Sequence, residues 1–209
     1  MVAMDSEFDE LLANKLDSPN IIYTHGYSWE NDVWNDQVMH KIIKELSAID
    51  IEFDEITKNF NSFINKIRIG VFADAYLFSK DDSYFPRKSY LCCIDCVPKD
   101  LPVVKSEVLK RILLEKGLKR PTINSHGRKK QIDVKRYCYG HLLSDFCYHF
   151  VSSYLRNRIK LTGITKAIIY RMGINKFFDN YFDNSEYEAY YRNQFNKNGA
   201  QQNVYAIAG

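Results

Sequence analysis

The sequence predicts a short α/β segment at the start of the chain, followed by a larger, mainly α-helical body. Three observations carry this. Two short apolar runs, Met1–Met4 and Ile21–Thr24, flank a brief helical pattern, and that order suits a βαβ-like piece with parallel strands. Beyond residue 27, apolar residues recur at helical spacing over long stretches. The 209 residues include only nine glycines and five prolines, too few for the many tight turns of a sandwich or barrel.

In chain order, Met1–Met4 reads as a buried strand that stops at Asp5. Glu7–Leu16 carries Phe8, Leu11 and Leu12 on one helical side, and Ser18-Pro19-Asn20 is a turn. Two strands do not make a stable sheet, so a partner strand is expected from elsewhere. Ser28 is an N-cap for a helix running to about Ser47, with Glu30 and Asp32 in its first turn. A second helix covers 51–79, Ser89–Val97 is β-like, and 104–116 is a helix closed by Gly117. Lys119–Lys135 reads as a polar, basic loop. Helices follow at 137–159, 165–178 and 185–195, and from Lys197 the chain is poor in core residues and expected to fray. The expected division is 1–26, 27–196 and a 197–209 tail.

No apolar run approaches the roughly 18 residues of a membrane span, and the acidic N-terminus lacks the features of a signal peptide. The five cysteines are an odd number, two of them adjacent, which disfavours a disulfide framework and suits a reducing cytoplasm. Charge is uneven. Residues 1–56 hold thirteen acids against three lysines, whereas the whole chain is +3. An acidic docking or metal-binding end and a basic, phosphate-meeting end would look like this, and so would two solvated faces.

Four constellations could carry chemistry. Asp5 and Glu7, two apart at a strand tip, would project to one side and repel each other, which a hard cation such as Mg²⁺ relieves. The alternative is an acidic helix start. His141, Asp145 and His149 share one helix face, either as metal ligands or as the polar side of a buried helix. Arg128, Lys129, Lys130, Lys135 and Arg136 belong to a basic stretch, +6 over residues 115–136, that reads as a phosphate-backbone contact or a solvated loop. Cys93-x-x-Cys96 lacks a second such pair, and buried thiols are the simpler reading.

VAMDSEFDELL followed by NIIYTHGYSWEND resembles the bacterial domain of unknown function 4435 family, with a looser likeness at Tyr139-Gly140-His141-Leu142-Leu143. The resemblance implies a Toprim-like fold, here the remnant of such a domain, beside the helical body. It also implies an apolar strand ending in Asp5 and Glu7, and a Tyr27-Ser28-Trp29-Glu30-Asn31 motif opening a helix. The site it implies is that of a Mg²⁺-dependent nuclease in anti-phage defence, working beside an ABC-type ATPase. Asp5 and Glu7 would then be metal ligands, and Asp5, Glu7 and Glu30 the catalytic carboxylates. Glu7 stands where the family carries Asp. The family's further Glu lies on an earlier strand, with no counterpart before Asp5, so an N-terminally truncated and inactive form is expected. A non-catalytic module that docks to the ATPase or to a second copy of itself is the alternative.

Overall fold

The computed structural model describes residues 2–18, 20–97 and 100–207, with side chains to 197. It is 62% helix and 5% strand, so the helical body dominates as the periodicity predicts. Strand β1 (Val2–Met4) pairs in parallel with β2 (Ile21–Tyr23), Ala3 opposite Ile22, across the single-turn helix α1 (Asp9–Leu12). The expectation of a buried first strand is corrected. Val2 and Met4 are 58% and 39% exposed, because β1 is the outer strand of the pair.

The expected single helix over 28–47 is two. α2 (Trp29–Val33) ends where Trp34 turns to extended backbone, and Asn35 caps α3 (Asp36–Ser47) by accepting the Val38 N–H at 2.8 Å. The break lets Trp34 bury completely against Gly173 and Tyr170. A Cβ on Gly173 would stand 2.9 Å from the indole.

α4 (Phe53–Phe78) is the central helix, buried along Ile56, Phe60, Phe63, Ile67 and Val71. Phe63 stacks on Phe146 with ring centroids 4.0 Å apart. Ser89–Val97 is strand only at β3 (Ile94–Asp95), which pairs antiparallel with β4 (Val103–Val104); Tyr90–Cys93 is a 3-10 turn. α5 (Ser106–Glu115) follows.

The basic loop expected at 119–135 is largely a helix, α6 (Arg120–Lys129), packed along α4. Its core face needs only Ile123 and Gly127. The Phe72 ring of α4 fills the space over Gly127 so closely that a Cβ would lie 2.2 Å from it. α7 (Gly140–Tyr154) runs through the core and ends in a π-helical turn, Leu155–Ile159. α8 (Lys166–Phe177), capped by Thr165, does the same at Phe178–Phe182. α9 spans Glu186–Ile207.

The N-terminal segment shares this core. Phe8 is fully buried among Tyr27, Phe78 and Tyr137. α9 covers the free edge of β2: the Gln194 amide accepts the Tyr23 N–H and donates to the Tyr23 carbonyl, both at 2.9 Å. No helix among the described residues is long and apolar enough to cross a membrane.

Candidate carboxylate cleft

Four segments build the cleft: the end of β1, the Tyr27–Asn31 turn, the Arg87–Tyr90 loop and the start of α7. Asn31 fastens two of them. Its Oδ1 accepts the Ser28 N–H at 3.1 Å and the Ser28 hydroxyl at 3.0 Å. Its Nδ2 donates to the carbonyls of Lys135 (2.8 Å) and Cys138 (2.9 Å). Gly140 then passes over the turn at a distance only glycine allows. A Cβ there would lie 1.9 Å from Ser28 Oγ and 2.9 Å from Glu30 Oε2. Two motifs over a hundred residues apart in sequence thus form one surface.

Asp5 leaves β1 beside this turn, and the Trp29 N–H donates to its carboxylate. Partial burial raises the Asp5 pKa, the neighbouring Glu30 charge raises it further, and His141 opposes both. Glu30 is 3% exposed and meets His141 Nδ1 at 2.9 Å. Glu7 departs from the strand-tip geometry expected of it. β1 stops at Met4, and Glu7 takes the left-handed conformation, φ 43°, held by its N–H donating to the Tyr27 carbonyl at 2.7 Å. Its carboxylate therefore faces Tyr27, whose hydroxyl lies 3.4 Å away. Burial raises its pKa, against the pull of Arg87. Asp5 lies within electrostatic reach of Glu30 and, more weakly, of Glu7.

Sequence reasoning missed Arg87, which comes from the loop after α4. Its Nη2 pairs with the fully buried Asp74 at 2.9 Å, and its guanidinium lies 4.2 Å from the Tyr139 ring centroid. Its Nη1 is buried and has no hydrogen-bond partner among the described residues. Asp74 also accepts the Tyr84 and Phe85 N–H groups. The available signal was Asp74 itself, an acid on the apolar face of α4, which demands a cation nearby.

Asp32 takes a structural part. It accepts the Gly26 N–H at 2.7 Å and the Tyr191 hydroxyl, tying the turn to α9. The His141, Asp145, His149 stripe does not converge. His141 turns to Glu30, while Asp145 accepts from Tyr90 (2.9 Å), Tyr170 (3.1 Å) and Lys166. All five cysteines are free thiols; burial pushes Cys93 up to about 12 and Cys96 to about 11. Among the described residues, no three His, Cys, Asp or Glu side chains gather as a ready metal site.

The candidate phosphate-binding residues separate. Arg136 Nη2 reaches both carboxylate oxygens of Glu10, each at 2.9 Å, and its Nε donates to the His25 carbonyl at 3.0 Å. Lys135 donates to the Tyr187 hydroxyl at 3.1 Å, and Lys130 to the Leu11 carbonyl at 3.3 Å. Arg136 and Lys130 brace the N-terminal segment, and Lys135 ties to α9. Arg128 and Lys129 stay exposed on α6. No family model, no curated protein and no solved structure matches this chain.

Proposed function

We propose that this cleft serves a Toprim-like, metal-dependent nuclease effector of a bacterial defence system, and that the chain is incomplete as a catalyst on its own. The observation that carries the reading is Asp5 lying within electrostatic reach of the buried Glu30, with Glu7 near both Asp5 and Arg87. The donor chemistry fits a hard divalent cation. Mg²⁺ takes one or two carboxylates from protein and the rest from water and phosphate oxygens, and Asp5 beside Glu30 supplies two. Such a cation, when bound, would stabilise charge on a phosphodiester and lower the pKa of water.

The chain's own groups have separable tasks. Asp5 and Glu30 would hold the cation, while His141 steadies Glu30 and Trp29 N–H orients Asp5. Arg87, held by Asp74 and stacked on Tyr139, would add positive charge beside Glu7. Glu7, half-buried with a raised pKa, is suited to proton transfer. Two carboxylates without a third ligand hold Mg²⁺ weakly, so robust cleavage would need an ABC-type ATPase or another partner that completes the site. The exposed strand β1, with Val2 and Met4 bare, favours a second reading: a non-catalytic module that docks by this strand.

The test is Mn²⁺ titration followed by electron paramagnetic resonance, with cleavage of plasmid, single-stranded DNA and RNA measured alongside. Mn²⁺ uptake that Asp5→Asn abolishes supports the reading. Equal uptake by wild type and Asp5→Asn overturns it. Uptake without cleavage alone, and cleavage once a partner is added, is the expected pattern.

A further inference from the structure

A second surface has a different composition. Three adjoining hollows share Arg120: one of ≈ 280 Å³ between α4, α5 and α6, one of ≈ 140 Å³ between α4 and α6, and a wide, open one of ≈ 780 Å³ along α6 itself. Their charged lining is entirely cationic, with Lys66 and Arg68 from α4 and Arg120 and Arg128 from α6 at its centre. Asn65 and Asn124 lie between them as further donors. None of the three hollows is lined by Asp or Glu.

Several cations elsewhere in the molecule are paired. Lys15, Lys44, Arg87, Lys116, Arg136, Arg158 and Lys166 each meet a carboxylate. Lys66, Arg68, Arg120 and Arg128 have no side-chain hydrogen bond or ion pair among the described residues, although all four are exposed. Four like charges crowded on one concave surface repel one another, and a bound polyanion relieves that repulsion.

The helix geometry aligns them. Arg120, Asn124 and Arg128 are spaced by four and share one face of α6. Gly127 brings that helix onto Phe72, so the stripe lies beside Asn65 and Arg68 of α4 rather than apart from them. Arg120 to Arg128 spans roughly 12 Å of helix, about the axial length of three to four phosphates on one strand. The row of shallow hollows suits a linear polymer better than one compact ligand. None of the large exposed hydrophobic side chains lines it, so nothing is placed to insert into a bilayer.

We infer that the α4–α6 groove binds the phosphodiester backbone of a nucleic acid through Lys66, Arg68, Arg120 and Arg128. The inference is independent of the chemistry proposed for the carboxylate cleft, since backbone binding needs neither a metal nor Asp5. Recognition is by charge and carries no base preference.

The test uses the full chain in EDTA and fluorescence anisotropy with labelled single-stranded DNA, duplex DNA and RNA across a salt series. Four phosphate contacts give a log–log salt slope of about −3 on single strands. Lys66→Gln/Arg68→Gln and Arg120→Gln/Arg128→Gln should each reduce that slope by about 1.4 and weaken binding at least about tenfold near 100 mM salt. Lys44→Gln/Arg158→Gln removes the same charge elsewhere and should bind within about threefold of wild type, net charge alone acting weakly at long range in salt. Thermal melts by circular dichroism confirm that every variant folds. Three results would overturn the inference: no wild-type binding near 50 mM salt, groove variants that bind like the control pair, or retention on phosphatidylserine vesicles in preference to nucleic acid.

Discussion

Gly140→Ala tests the fit between the start of α7 and the Tyr27–Asn31 turn. The new methyl would need the space of Ser28 Oγ, 1.9 Å away, and would press on Glu30 Oε2 at 2.9 Å. Both neighbours are buried, at 3% exposure each. Overpacking of this kind costs about 1–3 kcal/mol. Displacing the Ser28 hydroxyl from Asn31 adds about 1 kcal/mol. Replacing glycine in a helix returns up to about 1 kcal/mol. The net loss is about 2 kcal/mol, or a fall in Tm of roughly 4–8 °C for a chain of this size. Differential scanning calorimetry measures it. The reasoning also fixes a coupling. Ser28→Gly removes the obstructing hydroxyl and by itself gives up its Asn31 hydrogen bond, about 1 kcal/mol, so the double variant should be more stable than additivity of the two single variants by about 1 kcal/mol or more. A Gly140→Ala melt within about 1 °C of wild type, or strict additivity in the double variant, would refute the close approach as the reason for glycine here.

Asn31→Ala strands the carbonyls of Lys135 and Cys138 and frees the Ser28 N–H, so urea denaturation should show a loss of about 2–5 kcal/mol; a loss below about 1 kcal/mol would mean water replaces the amide without penalty. Asp5→Asn should raise Tm at neutral pH. The folded state holds the Asp5 pKa above its ordinary value, so it binds protons more readily than the unfolded chain, and wild-type stability from this group falls as pH rises through its titration. The advantage of Asn should therefore shrink as pH is lowered and Asp5 becomes neutral; a variant less stable than wild type at neutral pH, or a pH-independent difference, would contradict burial and the Glu30 charge as the cause of the raised pKa. Thiol titration should find Cys93, Cys138 and Cys147 unreactive in the folded chain, only the half-buried Cys92 and Cys96 slowly accessible, and all five free after unfolding. Rapid native labelling of three or more thiols would show that the core opens readily.

Helix periodicity located α4, α5, α7 and α8 to within a few residues, because each presents a broad apolar face to the others. It failed at Trp34, where both sides of the break keep the apolar pattern and only the Asn35 cap marks a new start. It failed at α6 for the opposite reason. That helix buries just Ile123 and a glycine, and the bulk that holds it belongs to Phe72 on another element. An apolar tetrapeptide does not tell an inner strand from an outer one, so the exposure of β1 was not readable. At the candidate site, the nearness of Asp5 to the turn that carries Glu30 matches motifs close in sequence, whereas Glu7 turns to Tyr27 instead of sharing Asp5's side. Arg87, Asp74 and His141 reach the site through tertiary packing, and no local spacing announces that.

The clamp of α9 on β2 also sets an order of events during synthesis. Tyr23 finds Gln194 across 171 residues, Thr24 finds Tyr190 across 166, and Lys15 finds Tyr190 across 175. Closing a loop of that length is entropically slow, and a two-stranded parallel sheet is marginal until something covers its edge. The residues of β2 leave the ribosome long before α9 and are thus among the last to reach their final environment. At roughly 5–20 residues per second, β2 waits on the order of ten to thirty seconds with its edge uncovered while the helical body condenses around α4. A ribosome paused before residue 186 would display a largely assembled helical core with an unlatched carboxylate cleft, and release of the completed α9 would be the step that seats it.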